Sequence, residues 1–183
     1  GTVEVDSGTL ALKGGGEVKN ATASVADGAS LRVAGGVNIT ADSTFNGPGT
    51  VEVVSGGGLN LGNGVTVHGR GPIVVNGGQV GGAGQSSVFG SDTDVRMQSG
   101  SIGTQPGVEV AGSFKWTGGS VMGSQSYIAG TLFNGGNGFV ISGPDQKQIV
   151  GPSALVNLGT ITQVGDSAVT MSSVWTGWAG WLS

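Results

Sequence analysis

The sequence predicts an all-β chain folded as one parallel β-solenoid domain. Three observations predict it. Apolar residues recur in x-V-x-V pairs. The pairs arrive roughly every 6 to 8 residues, separated by Gly, Asn, Asp or Ser. Whole segments then return at long spacing, the mark of a solenoid or an array. Glycine is abundant, at 40 of 183 residues, yet the net charge is only -4. Leu, Ile, Val and Phe make up about a quarter of the chain, enough apolar surface to offset ordering entropy. Most of that set is valine, whose β-branched side chain suits strands.

Taken in chain order, the first unit is "GTVEVDSGTLALKGGG" (1–16), with pairs Val3/Val5 and Leu10/Leu12. Period 2 makes each pair a strand of three to five residues with one buried face. Next comes "EVKNATASVAD" (17–27), the best helix candidate, with Val18, Ala21, Thr22, Val25 and Ala26 at helical spacing. Its counterpart in a 48-residue echo, "VTVHGRGPIVV" (65–75), holds Gly69, Gly71 and Pro72, which disfavours a helix. That echo is "GTVEV" at residues 1 and 49, read as two units of repeat. Leu31/Val33, Val37/Ile39, Val51/Val53, Leu59/Leu61, Val65/Val67, Ile73/Val75, Val95/Met97 and Val108/Val110 continue the pattern, followed by Phe114/Trp116 and Val169/Met171. Phe45, Val80, Val88, Ile102, Val121 and Ile128 fill gaps. "FNGPGTVEV" (45–53) returns as "FNGGNGFVI" (133–141), about four units on, and "WTGGSVMGS" (116–124) returns as "WTGWAGWLS" (175–183).

Three beats make a coil of about 22–24 residues, and about eight coils make a rod of about 38 Å. Each strand would pair with its equivalent in the next coil, and inward residues would stack into apolar columns. Glycines serve the corners, where φ > 0 or close backbone approach is needed. A propeller fits less well, because its blades need longer strands and a hairpin signal in each.

The repeats "GTVEVDSGTLAL" and "GTVEVVSGGGLNL" resemble those of bacterial autotransporter passengers and related giant surface proteins, adhesins among them. The segment from Ser113 to Thr162 resembles a second repeat of giant secreted bacterial β-helix proteins. Trp116 to Gly119, Met122, Gly130 to Leu132, Lys147 and Leu155 to Thr160 carry that likeness. The resemblance implies a right-handed parallel β-helix on or outside the cell, and it carries no catalytic residues across.

Chemistry is sparse. The chain has no cysteine and one histidine, which excludes disulfide scaffolds and makes a transition-metal site improbable. Clustered basic residues are missing, so no nucleic acid is expected as partner. No apolar run reaches the roughly 20 residues of a membrane span. Glu4, Glu52 and Glu109 lie between paired valines and point outward. Asp92 and Asp94 in "GSDTDVRM" form the one close acidic pair, a candidate for calcium or for two catalytic carboxylates. Arg70 one coil earlier and Lys115 one coil later make a plain charge ladder the favoured alternative. His68 lacks a nucleophile elbow and reads as an exposed side chain. No phosphate-loop pattern accompanies the glycines. A threonine array for ice is not apparent, since Thr2 and Thr50 recur without a regular column. No cofactor is expected.

Trp175, Trp178 and Trp181 cluster at the end. They suit a local cap on a terminal coil (174–183), a contact surface, or sugar stacking. Any targeting segment is expected to lie outside this sequence. Residue 1 begins on a repeat, so an open strand edge is expected there. The expected function is therefore non-enzymatic: an extracellular or cell-surface rod, joined end to end with copies of itself or with adjacent solenoid segments. Val3, Val5 and the three tryptophans would make the joint. The alternative is an adhesin-type module binding glycan or a host surface, and after that a polysaccharide lyase or hydrolase around Asp92 and Asp94.

Overall fold

A computed structural model describes residues 1–82, 87–104, 108–122, 131–134, 138–150, 153–157 and 159–172. They form a parallel β-solenoid. In chain order the strands are β1 (Thr2–Val5), β2 (Thr9–Leu12), β3 (Gly16–Val18), β4 (Thr22–Val25), β5 (Ser30–Val33), β6 (Gly36–Ile39), β7 (Ser43–Asn46) and β8 (Thr50–Val54). Then follow β9 (Gly58–Leu61), β10 (Thr66–Gly69), β11 (Pro72–Asn76), β12 (Gln79–Gly82), β13 (Ser87–Phe89), β14 (Asp94–Met97), β15 (Ser101–Thr104) and β16 (Val108–Val110). The last are β17 (Ser113–Trp116), β18 (Gly119–Met122), β19 (Thr131–Asn134), β20 (Phe139–Ile141), β21 (Lys147–Val150), β22 (Ala154–Asn157), β23 (Ile161–Gln163) and β24 (Val169–Ser172).

Every third strand enters the same sheet. The first sheet runs from β1 through β4 to β22, the second from β2 through β5 to β23, and the third from β3 through β6 to β24. Every strand pairing between the described turns is parallel, as in β1 with β4 and β2 with β5, and one isolated antiparallel bridge joins Val54 to Gly77. With eight described strands in each sheet, about six turns are stacked between two neighbours. Among the described residues the first and last turns pair on one side only, so fully stacked turns are fewer than the eight coils expected. Coil length also varies more than the repeat pattern suggests. The chain takes a short path from Asp94 to its register partner Ser113, and a much longer one from Gly119 to Lys147.

The core is a set of columns. In the second sheet, Leu10, Leu31, Val51, Ile73, Val95, Phe114, Phe139 and Ile161 lie in register. In the third, Val37, Leu59, Val80, Ile102, Val121, Ile149 and Met171 do the same. Each fully buried member contributes about 1.5–3 kcal/mol. Sizes are matched along a column: in the first sheet Phe45 lies between Ala23 and Gly69. Phe114 and Phe139 meet with ring centroids 4.8 Å apart.

Glycine serves two separate needs. Gly56 has φ 81° and open space around it, so it supplies a left-handed turn. Its neighbour Gly57 has no such φ, but a Cβ there would lie 2.1 Å from the Val33 carbonyl oxygen of the preceding turn.

Several expectations are corrected. Residues 17–27 form no helix. β3 ends at Val18, Asn20 turns the chain with φ 48°, and β4 begins at Thr22. The "GTVEV" echo does not join equivalent positions. Its first copy is β1 of the first sheet, and its second is β8 of the second sheet. Two turns after Val3 the chain has reached Phe45, not Val51. The 88-residue echo joins equivalents in its second half only. Val51 and Phe139 share a column, as do Val53 and Ile141. β7 and β19 share a sheet, but Phe45 pairs with Gly69 and Phe133 with Glu109, out of step by three positions. Thr2 aligns with Thr22 and Thr44 rather than with Thr50. Val88 faces outward, because its neighbours Ser87 and Phe89 are the buried ones.

Candidate functional site

At one end of the described solenoid, β1, β2 and β3 pair on one side only, with β4, β5 and β6. Val5 is 5% exposed, but Val3 and Leu10 are each 40% exposed. Val3 continues to Ala23 and Leu10 to Leu31, so both head inward columns. At the other end of the described residues, β22, β23 and β24 pair only with β19, β20 and β21. There Met171, the last member of its column, is 46% exposed, and Val164 is 53% exposed. Trp175, Trp178 and Trp181 lie outside the described residues, as does the expected cap at 174–183.

The acidic pair divides its attention. Asp92 lies in the corner before β14, where Oδ2 accepts the Gly69 N–H at 3.2 Å and Oδ1 lies 3.5 Å from His68 Nδ1. Asp94 opens β14. Its Oδ2 accepts from Arg96 Nε at 2.9 Å and Nη2 at 2.6 Å, and its Oδ1 accepts from Ser113 Oγ at 3.0 Å. The register sets Pro72, not Arg70, one turn below Asp94, and Lys115 opposite Arg96 rather than opposite an aspartate. The two carboxylates therefore bind the turn below and the turn above. Among the described residues no group of three His, Asp or Glu side chains is placed to hold a metal ion.

The outer face of the second sheet is richer. Arg32, Glu52, Val74, Arg96 and Lys115 follow one another in register. Arg32 reaches Glu52 Oε2 through Nη2 at 2.9 Å and Nε at 3.0 Å, and Asn76 Nδ2 donates to Oε1 at 3.0 Å. The Asn76 hydrogen bond, then that of Arg32 and its charge, hold the Glu52 carboxyl below its ordinary pKa against the opposing effect of burial. Here a shallow groove of about 530 Å³ crosses the sheet, lined by Asp27, Ser30, Thr50, Glu52, Val74 and Gln98 among others. Sequence reasoning missed it, because Glu52 read only as a solvated residue between two valines.

It also missed the direction of Lys147. This side chain is 0% exposed, and Nζ donates to the carbonyls of Gly143 at 2.9 Å and Asp145 at 2.8 Å. It fastens the corner between β20 and β21 from inside. The signal was available as parity, since Lys147 shares a face with Ile149, two residues on. Nearby, Trp116 is fully buried and stacks on Phe139 at 6.3 Å, with no described partner for Nε1.

No protein family, curated protein or solved structure matches this chain. Among the described residues no helix is long and apolar enough to cross a membrane. What the fold and these surfaces define is a parallel β-solenoid with stacked turns.

Proposed function

We propose that this chain is a non-enzymatic structural β-solenoid of a bacterial surface or secreted protein, and that its rods join end to end. The three continuous parallel ladders carry the reading, since turn-to-turn backbone pairing of this kind can take a further turn from another chain. Val3 and Leu10 at one end and Met171 at the other belong to inward columns yet stay roughly half exposed. A second copy docked head to tail extends both the ladder and the columns. Covering Val3 and Leu10 contributes about 1–2 kcal/mol. Ladder bonds add about 1 kcal/mol each, against the entropy of association. A head-to-tail contact that does not close yields a filament. The tryptophans at 175, 178 and 181 belong to this joint on the sequence argument alone. Placement outside the cell, and kinship with autotransporter passengers or adhesins, rest on the repeat resemblance.

Electron microscopy and sedimentation of the purified chain test the assembly. The expected result is end-to-end growth that rises with concentration and disappears in Val3→Lys/Leu10→Lys, while the far-UV circular dichroism of the variant stays native. A wild-type chain that remains monomeric at high concentration overturns the filament.

A further inference from the structure

We propose that the groove on the outer face of the second sheet binds a linear, uncharged oligosaccharide. The proposal does not rest on end-to-end assembly, because the groove lies on the side of the rod. It rises across four successive turns, from Asp27 and Ser30 through Thr50 and Glu52 to Val74 and Gln98. Three steps between turns give about 14 Å of axial length. That suits a chain segment better than a single ring, and its volume of about 530 Å³ is within the range of small-ligand sites.

The lining selects the ligand class. Val74 faces outward between Ile73 and Val75, which are both buried, and stands outside the interior cluster. Its register neighbours Glu52 and Arg96 shelter it to 9% exposure, so it makes an apolar floor with polar walls. Ser30 and Thr50 offer hydroxyls that donate and accept, and Gln98 offers an amide that does both. Sugar hydroxyls need such two-way partners, and the C–H face of a sugar ring needs an apolar floor. Most charges around the groove are already paired. Arg32 pairs with Glu52, and Arg96 pairs with Asp94. With Asp27 added the local balance is slightly negative, which disfavours phosphates, sulfated glycans and uronates. Glu52 accepts from Arg32 and Asn76, an arrangement that fixes it as a directed acceptor rather than a cation ligand.

The test is nuclear magnetic resonance titration of the isotopically labelled chain. The probes are maltohexaose, cellohexaose, mannohexaose and chitohexaose, with a heparin hexasaccharide as the anionic comparison. The expected result is saturable shifts for at least one neutral probe at the Val74 methyls, the Gln98 side-chain amide and the amides of Ser30 and Thr50. Val74→Lys fills the floor and is expected to weaken binding at least about tenfold. Gln98→Ala removes one wall and is expected to weaken it a few-fold, and Lys115→Gln, higher on the same face, leaves it unchanged. Four outcomes overturn the proposal: no saturable shift with any neutral probe at millimolar concentration, shifts that map elsewhere, binding indifferent to both groove variants, or a preference for heparin. A rod that binds sugar but never forms fibres would sink the assembly reading and leave this one standing.

Discussion

Gly56 and Gly57 are neighbours in one corner, and they are glycine for opposite reasons. An alanine at 56 meets nothing within 4 Å but must hold φ near 81°. That conformation costs an L-residue about 1–2 kcal/mol. An alanine at 57 has an ordinary backbone but a Cβ 2.1 Å from the Val33 carbonyl oxygen and 2.9 Å from that of Val54. To reach normal contact the turn must lift by about 1 Å. Gly58 N–H to Gly35 O is 3.1 Å and Gly57 N–H to Val54 O is 2.8 Å, and both bonds open under that shift. Losing them costs about 2 kcal/mol. Loosened packing around buried Leu59 adds about 1 kcal/mol. Gly57→Ala is therefore expected to destabilise by about 3 kcal/mol, Gly56→Ala by about half that. Gly56→Asn should cost still less, since Asn tolerates the left-handed region. Urea unfolding followed by circular dichroism ranks the three. Repeat arrays unfold with limited cooperativity, so amide exchange gives the sharper readout. Gly57→Ala should lose protection at the Gly58 and Gln79 amides and keep it at β16. Equal stability of Gly57→Ala and Gly56→Ala, or the reverse order, refutes the close-approach explanation.

Lys147→Ala leaves a cavity, strips the Asp145 carbonyl of its donor and leaves the Gly143 carbonyl with the Ser167 hydroxyl alone, so a loss of about 2–4 kcal/mol is expected in urea unfolding. A loss below about 1 kcal/mol would show that the corner does not depend on the ammonium. Glu52 has a depressed folded pKa, so its contribution is present above the unfolded carboxylate value and is lost as pH falls through the folded one. Glu52→Gln should therefore flatten the acid limb of a stability-versus-pH curve, and an unchanged limb would count against the Asn76 and Arg32 bonds. Asp94→Asn breaks an exposed pair with Arg96, worth under about 1 kcal/mol. Near wild-type stability is expected, whereas loss of a measured polysaccharide lyase or hydrolase activity in this variant would overturn the non-enzymatic reading.

The strands were legible because parity alone sorts Val51 and Val53 inward and Glu52 outward, with no knowledge of the neighbours. Which strand shares a sheet with which was less legible. "GTVEV" suits any half-buried strand, so its two copies say nothing of which sheet they enter. Coils of unequal length, short after Asp94 and long after Gly119, then blur the count. The 88-residue echo succeeded only in part: it matched Val51 with Phe139 and Val53 with Ile141, but not Phe45 with Phe133. Register explains the remaining misses. Placing Lys115 beside Arg96, or Asn76 beside Glu52, needs the register fixed to a single position across turns of unequal length. The groove followed from those outward neighbours, so it was invisible before the register was known. Lys147 was hidden by residue type, since a lysine on a strand is ordinarily assigned to solvent.

The seating of Phe45 between Ala23 and Gly69 has a consequence for how such a chain changes over generations. In this column a turn that carries a bulky ring sits beside turns that make room for it, whereas Phe114 and Phe139 fill another column by packing ring against ring. The turns are thus not interchangeable bricks, although they follow a common pattern. Swapping two of them, or deleting one, would set large against large in one column and leave a void in another. Lengthening by duplication is tolerated only where the copied block begins and ends on compatible volumes. Each turn in effect carries an address, written in side-chain size, that names its place along the rod.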